Sequence, residues 1–203
     1  KVLIINRPSS VVNLPEKIFP LYLQEFMPPT LISSNKEQIS AFAAKHGEVV
    51  IKPLYDYGGN GIARIKEGEN FEIPSNIPVV VQKFIPEVIS GDKRILFINC
   101  KFHSVFNRLP PQGSYIANIA QGGTLAKTQL TQREEQICQK LEPMLKAHDI
   151  LICGIDVING YVTEINITSP TGFKWAKELY GLQPEVPLWD NIEARLAAKN
   201  AGN

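Results

Sequence analysis

The run from Cys153 to Gly172, CGIDVINGYVTEINITSPTG, constrains the fold more than any other part of the chain. Two apolar-rich segments, Ile150–Val157 and Tyr161–Ile167, flank Asn159-Gly160, a pair suited to a tight hairpin turn because both residues tolerate positive φ. An antiparallel pair is therefore expected, and its register decides what it can do. A two-residue loop pairs Ile158 with Tyr161 and Asp156 with Thr163, which puts Asp156 and Glu164 on opposite faces. A three-residue loop, Ile158-Asn159-Gly160 with Gly160 in the left-handed bulge position, shifts the pairing by one residue. Asp156, Glu164 and Asn166 then share one face, and Ile155, Val157, Ile165 and Ile167 share the other. This register separates polar from apolar side chains and is the one predicted.

Two carboxylates and an amide oxygen on one face, with no cation in the local sequence to neutralise them, call for a hard cation or for water. Mg²⁺ fits, because it takes one or two carboxylates and completes its shell with phosphates and waters. Taken alone, the hairpin fits a solvated acidic strand face at least as well.

With 203 residues, 44% of them hydrophobic and 20% charged, the chain has material for one large domain or two small ones. A net charge of +1 argues against general attraction to nucleic acid or anionic membranes. No apolar run approaches the roughly 20 residues that span a bilayer, and no basic-then-apolar leader opens the sequence, so a cytoplasmic protein is expected. Cys100, Cys138 and Cys153 are odd in number and set among apolar neighbours, and they read as small core residues. His46, His103 and His148 show no paired ligand spacing. The first residue is Lys1, directly in the strand-like KVLII, and reads as a cut edge.

Along the chain, Val2–Ile5 reads as a strand, 6–10 as a loop, and Pro15 to Phe26 as a helix with Lys17 in its first turn. The helix dipole disfavours a cation there, so Lys17 either meets an anion or lies in solvent. Thr30–Ser33 is a strand, and Ser34 with Glu37 forms a capping box for a helix from Asn35 to His46. Strands at Glu48–Pro53 and Ile62–Ile65 enclose Tyr55-Asp56-Tyr57-Gly58-Gly59-Asn60-Gly61, either a phosphate cradle or a plain hairpin turn. Further strands are expected at Pro78–Ile85, Ile95–Asn99 and Lys101–Arg108. The long segment from Leu109 to Gly123 reads as a mobile lid. Thr131 with Glu134 caps a helix that leads to the hairpin, and helices at Thr171–Tyr180 and Leu188–Lys199 follow it.

Set in order, Glu16-Lys17, the IKP strand with Lys52, YGGNGI, VVQKFI, GDKR at Gly91–Arg94, the loop ending NIAQGG, and GIDV…TEINITSPTG form one pattern. Over essentially all 203 residues the chain resembles the ATP-grasp ligases, and among them the bacterial-type glutathione synthetases. The resemblance implies an α+β ATP-grasp fold in which two sub-domains with antiparallel sheets sandwich the nucleotide. Residues 1–29 would be the end of a preceding domain and a linking helix, 30–84 the small sub-domain, and 85–203 the large one.

It also implies roles. Lys17 and Lys52 contact ATP phosphates, and the loop Gly58, Gly59, Gly61 closes over them. Gln82, Lys83, Phe84 and Ile85 supply backbone hydrogen bonds to the adenine, and Asp92 sits at the ribose. Arg94 and Arg108 face the reacting carboxyl and phosphoryl groups. Asp156, Glu164 and Asn166 hold Mg²⁺ or Mn²⁺. Asn118, Gly122, Gly123, Ser169, Pro170, Thr171 and Gly172 line the peptide pocket. The implied reaction joins γ-glutamylcysteine to glycine with ATP as co-substrate, in a full-length form read as a homo-oligomer, with no nucleic-acid or membrane partner. Two departures from the family pattern stand out: Ile116 occupies the position of an arginine before the lid asparagine, and of the family's N-terminal substrate domain at most the last strand is expected here. Ligation of another amino acid to a peptide or protein terminus, or nucleotide binding without turnover, are the competing readings.

Overall fold

The strands sort into two antiparallel sheets in the computed structural model, which describes residues 2–56, 58–66, 68–73 and 77–201. The first sheet is built from β1 (Thr30–Ser33), β2 (Val49–Pro53), β3 (Ala63–Ile65) and β4 (Val79–Lys83) in the order β1-β4-β2-β3. The second is built from β5 (Asp92–Ile98), β6 (Lys101–Leu109), β7 (Thr124–Lys127), β8 (Ile152–Ile158) and β9 (Tyr161–Asn166) in the order β7-β6-β5-β8-β9. Around them lie α1 (Pro8–Asn13), α2 (Lys36–His46), α3 (Gln132–Ala147), α4 (Phe173–Tyr180) and α5 (Glu185–Ala201), with a 3-10 helix over Phe19–Phe26.

In the first sheet, strand alternation sends Val49, Ile51, Val79 and Val81 onto Ile39 and Ala43 of α2. The residues between them, Val50, Lys52 and Gln82, face the second sheet across a cleft. The cap of α2 is Asn35, whose side chain accepts the Gln38 amide at 2.8 Å, and not the expected Ser34–Glu37 box. Ser33 reinforces it, accepting from the Asn35 amide and donating to the Gln38 side chain. Thr131 and Glu134 do form the predicted capping box on α3.

One face of the second sheet, with Ile95, Phe97, Ile155, Val157 and Ile165, packs on Ile137, Leu141 and Leu145 of α3. Leu14, Phe19, Leu23 and Phe26, from the segment ahead of the first sheet, share that core. The opposite face is divided along its length. Leu96, Ile98 and Leu151 are covered by Leu188 of α5, with Phe173 and Ile192 against them. At the other end Arg94, Asp156, Glu164 and Asn166 line the clefts.

The hairpin keeps the predicted faces by a different device. Asn159 and Gly160 have φ of 49° and 75°, and they form a two-residue turn in which Ile158 pairs with Tyr161 and Val157 with Val162. The register then slips, so that Asp156 faces Glu164 and Gly154 faces Asn166. The extra residue is Thr163, inside β9, and its hydroxyl bonds to the Asp156 carbonyl at 3.3 Å. The turn thus takes the geometry that Asn-Gly favours, and the sorting of polar from apolar side chains is restored one step later.

The start of the chain also differs from expectation. Val2–Ile5 forms no strand, and the expected loop at 6–10 runs into a helix over Pro8–Asn13, because proline is well suited to a first helical position. Asn6 does a strand's work with its side chain. Its Oδ1 accepts the Leu151 and Ile152 amides at 2.7 and 3.0 Å, and its Nδ2 donates to the Ile152 and Ile167 carbonyls at 2.7 and 2.6 Å. Pro15 opens a turn, not a regular helix, and the helical segment after it is 3-10. After a short 3-10 turn at Ile119–Gln121 comes β7, an edge strand too short to show a period in the sequence. Replacing Asn6 with alanine strands the Leu151 amide and the Ile167 carbonyl. Urea unfolding of Asn6→Ala should show a loss on the order of 2–4 kcal/mol; a loss below about 0.5 kcal/mol would remove the brace.

Candidate active site

Cross-strand pairing builds the site. Register sets Arg94 opposite Asp156 and Asp92 opposite Arg108, so four charged side chains from three adjacent strands share the cleft face. Arg94 grips Asp156 with Nε on Oδ1 and Nη2 on Oδ2, the latter at 3.2 Å. Arg108 Nη2 lies 3.0 Å from Asp156 Oδ1 and donates to Asp92 Oδ2 at 2.6 Å. Gly154 leaves room for this, since a Cβ there would come within 3.1 Å of both Arg94 Cδ and Pro170 Cβ. Arg94 runs across that gap to reach the Thr171 carbonyl at 3.2 Å.

The hairpin's carboxylates are therefore not without cations, contrary to the local reading. The cations sit on neighbouring strands and on the other sheet. Lys17 and Lys52, both buried, place Nζ 3.9 Å from Glu164 Oε1. Lys17 also donates to the Asp56 carbonyl at 2.6 Å and pairs with Glu16, so it meets anions and not solvent.

Burial opposes ionisation of Asp156, but Arg108 and Arg94 outweigh it and hold the carboxyl at about 2. Burial pushes Asp92 up to about 6, with Arg108 opposing the shift and Asp156 adding to it. Glu164 is raised by burial, with Lys52 opposing and Asp156 adding.

Among the described residues, five buried side-chain polar atoms have no partner, and three of them, Gln82 Oε1, Asp92 Oδ1 and Asn166 Nδ2, belong to residues that line the clefts. Such atoms in a folded protein ordinarily find partners, so a polar ligand is indicated. The oxygens on the hairpin suit a hard divalent cation. Among the described residues Glu164 accepts no hydrogen bond, Asn166 is an amide with an unused end, and Asp156 Oδ2 carries one long guanidinium contact, which leaves it a lone pair. These oxygens fit Mg²⁺, although no cluster of three or more His, Cys, Asp or Glu side chains with metal-ligand placement occurs among the described residues.

The other expected site residues divide into those at the clefts and those beside them. Lys52, Gly59, Gln82, Lys83, Phe84, Ile85, Asp92, Arg108 and Asn118 line the inner cleft with Asp156 and Glu164. The Lys83 and Phe84 amides are already committed to the Pro29 and Glu48 carbonyls. A second hollow of about 910 Å³ is lined by Glu16, Gly58, Arg94, Asn166, Ser169, Pro170 and Thr171. Gly61 turns away, with Pro53 where a side chain would go (2.7 Å), and Gly172 backs onto Phe106. Gly122 and Gly123 shape the 110–123 segment; a Cβ on Gly123 would fall 2.4 Å from the Ala117 carbonyl. Tyr57 of the glycine loop lies outside the described residues.

Ile116 lies against Gly59, whose added Cβ would come within 3.1 Å of Ile116 Cγ2, while Gln121 reaches the Gly58 carbonyl at 3.3 Å. Sequence reasoning missed Arg64, which stacks over Phe84 at 3.9 Å and is paired with Glu48, and Tyr115, which meets the Phe84 ring edge-on. No local pattern signals either contact.

The raised Asp92 carboxyl gives a pH signature. Between its ordinary value near 4 and its folded value near 6 the folded chain holds a proton that the unfolded chain has released, so stability falls as pH rises through that window. Urea unfolding of the ligand-free protein from pH 4 to 6 should show this decline, and Asp92→Asn should flatten it; equal slopes would contradict the assignment.

The profile of the family described as prokaryotic glutathione synthetase, ATP-grasp domain, matches residues 16–181. A glutathione synthetase of Rhodopseudomonas palustris is 43% identical over 203 residues, covering 96% of this chain and 65% of the relative. One of Bradyrhizobium diazoefficiens is 42% identical over 205 residues, covering 97% and 65%. The chain thus spans just under two thirds of the length of these relatives. Among solved structures, the ATP-grasp ligase PsnB in complex with a precursor variant, Mg and ADP superposes with a TM-score of 0.70 at 17% identity, covering 96% of this chain and 63% of that one. The macrocyclase MdnC of Microcystis aeruginosa MRC, bound to its precursor peptide, gives 0.61 at 19% identity, covering 93% and 63%. The two facing antiparallel sheets are those of the ATP-grasp fold, and the chain belongs to the prokaryotic glutathione synthetase ATP-grasp domain family.

Proposed function

We propose that this chain is the ATP-grasp part of an ADP-forming carboxylate–amine ligase that joins γ-glutamylcysteine to glycine. In this reading residues 30–84 and 85–203 act as the two sub-domains, with the nucleotide between them. The observation that carries it is the set of four buried cations, Lys17, Lys52, Arg94 and Arg108, gathered on Asp156 and Glu164 at the cleft. The relatives named glutathione synthetase supply the choice of substrates.

The chemistry needs no side-chain nucleophile. A peptide carboxylate oxygen attacks the γ-phosphorus, ADP leaves, and an acyl phosphate results. The amine of glycine then attacks the acyl carbon, phosphate leaves, and the amine's surplus proton departs with it. The task of the protein is positioning and charge compensation. Lys17 and Lys52 exchange Glu164 for phosphate oxygens, and Arg94 and Arg108 stand where charge builds between carboxylate and phosphorus. Asp92 Oδ1 offers an acceptor to a ribose hydroxyl. The 110–123 segment, seated on the glycine loop through Ile116 and Gln121, shields the acyl phosphate from water. Glu164, Asn166 and Asp156 would hold a divalent cation, which when bound supplies neutralisation of phosphate charge. Among the described residues no helix is long and apolar enough to cross a membrane.

ADP release from the chain with ATP, Mg²⁺ and γ-glutamylcysteine, with and without glycine, tests the proposal. Glycine-dependent release is the expected result, and glycine-independent or absent release in the presence of bound ATP would overturn the choice of substrates. Lys52→Met should lower the rate by about 10²-fold, equivalent to about 3 kcal/mol of transition-state stabilisation; an unchanged rate would remove Lys52 from the phosphate site.

A further inference from the structure

Strand alternation divides the wall of the inner cleft that the first sheet supplies. On β2 and β4, Lys52 stands opposite Val80, and two residues further along Val50 stands opposite Gln82. The charged end of the cleft is at Lys52. Val50 stands beside Gln82 on that wall, Phe84 is two residues further along the chain with Arg64 stacked on its ring, and Pro28 and Val88 also line the cleft. A flat aromatic base suits that end, and Gln82 is the polar side chain it meets there.

The Gln82 amide is 1% exposed and half satisfied. Its Nε2 donates to Thr30 Oγ1 at 3.2 Å, and its Oε1 has no partner. Thr30 is its neighbour across the strand pair, set by the register of β1 and β4. The Thr30 hydroxyl has a single proton, and the Pro28 carbonyl, which can only accept, takes it at 2.8 Å. Only lone pairs are left on Thr30 for Gln82. The amide must therefore turn its NH₂ toward Thr30 and its oxygen elsewhere. A carbonyl acceptor on the base-binding wall is satisfied by an exocyclic amino group and opposed by a ring carbonyl.

We propose that Thr30 is a positioning residue for nucleotide selection: the relay Pro28 carbonyl, Thr30 hydroxyl, Gln82 amide fixes an acceptor toward the base and selects 6-amino over 6-oxo purines. The inference rests on the nucleotide reading of the cleft. Thr30 touches no base; it acts by forbidding the alternative amide orientation, in which Nε2 would face the cleft and donate to a 6-oxo group. Breaking the relay should therefore relax selection more than it weakens binding.

The test is equilibrium binding of ATP and ITP, which differ in the purine at the 6-position and the adjoining N1, to the wild-type chain and to Thr30→Val and Thr30→Ser. The wild type should prefer ATP by at least about tenfold, because a site built around a hydrogen bond rejects the analogue that cannot make it. Thr30→Val keeps the size and strand preference of the residue but has no lone pair, so the amide is free to turn and the ATP-to-ITP ratio should drop by about tenfold. Thr30→Ser keeps the acceptor and should hold the wild-type ratio. A general loosening of the sheet would weaken both nucleotides equally and leave the ratio intact, which would overturn the relay. Equal affinity of the wild type for the two nucleotides would overturn it as well. Binding of neither nucleotide by the folded wild type, checked by circular dichroism, would instead overturn the nucleotide reading from which it starts.

Discussion

The cleft depends on one buried carboxylate. Asp156 lies between Arg94 on the adjacent strand and Arg108 one strand further on, and the pair of guanidinium groups keeps it ionised against the cost of burial. A charge removed from water is costly to leave unpaired, and removing one partner of such a pair is far worse than replacing both. The orientation of the three-strand unit β6-β5-β8 is tied to this arrangement, since its register is what brings the three side chains into reach. Asp92 and Glu164, which flank Asp156, have the opposite character. Their carboxyls are raised by burial and each retains unused acceptor capacity, so the site holds one acid held ionised by two guanidinium groups between two with more bonds to offer.

Apolar period and turn chemistry made much of the fold legible. The Asn-Gly turn, the capping box at Thr131 and Glu134, and the runs IKP and VVQKF lie where the sequence puts them. The misreadings share one cause. Asn6, expected in a loop, substitutes for a strand through contacts with residues some 145 to 161 positions away, and no local pattern carries that information. Asn35 took the cap expected of Ser34 because Ser33 was free to brace it from the preceding strand. The N-terminal segment looked like a strand on apolarity alone, whereas its proline at position 8 was the more telling signal.

The site was legible as a list of residue types and less so as a set of partners. That Asp156, Glu164 and Asn166 share a face followed from the need to separate polar from apolar side chains, whatever the loop length. Which cations answer them did not, because Arg94, Arg108, Lys17 and Lys52 reach them from other strands and from the facing sheet. The stacking of Arg64 on Phe84 is of the same kind: each residue is unremarkable in its own strand, and the contact exists only once β3 and β4 have been placed on either side of β2.

The bulge at Thr163 stores the parity of the hairpin in a single residue. Everything between Val157 and Val162 could be rebuilt without moving Glu164 relative to Asp156, because the turn and the acidic face are reckoned from different points of the strand. The converse is a fragility. If the bulge were ironed out and Thr163 entered the ladder opposite Asp156, the turn and the composition would be unchanged, yet Glu164 and Asn166 would turn into the hydrophobic core and Ile165 would come out toward the cleft. In that sense the acidic face is set by where the ladder skips a residue as much as by the acids themselves, and two hairpins of identical residue content could differ completely in whether they present it.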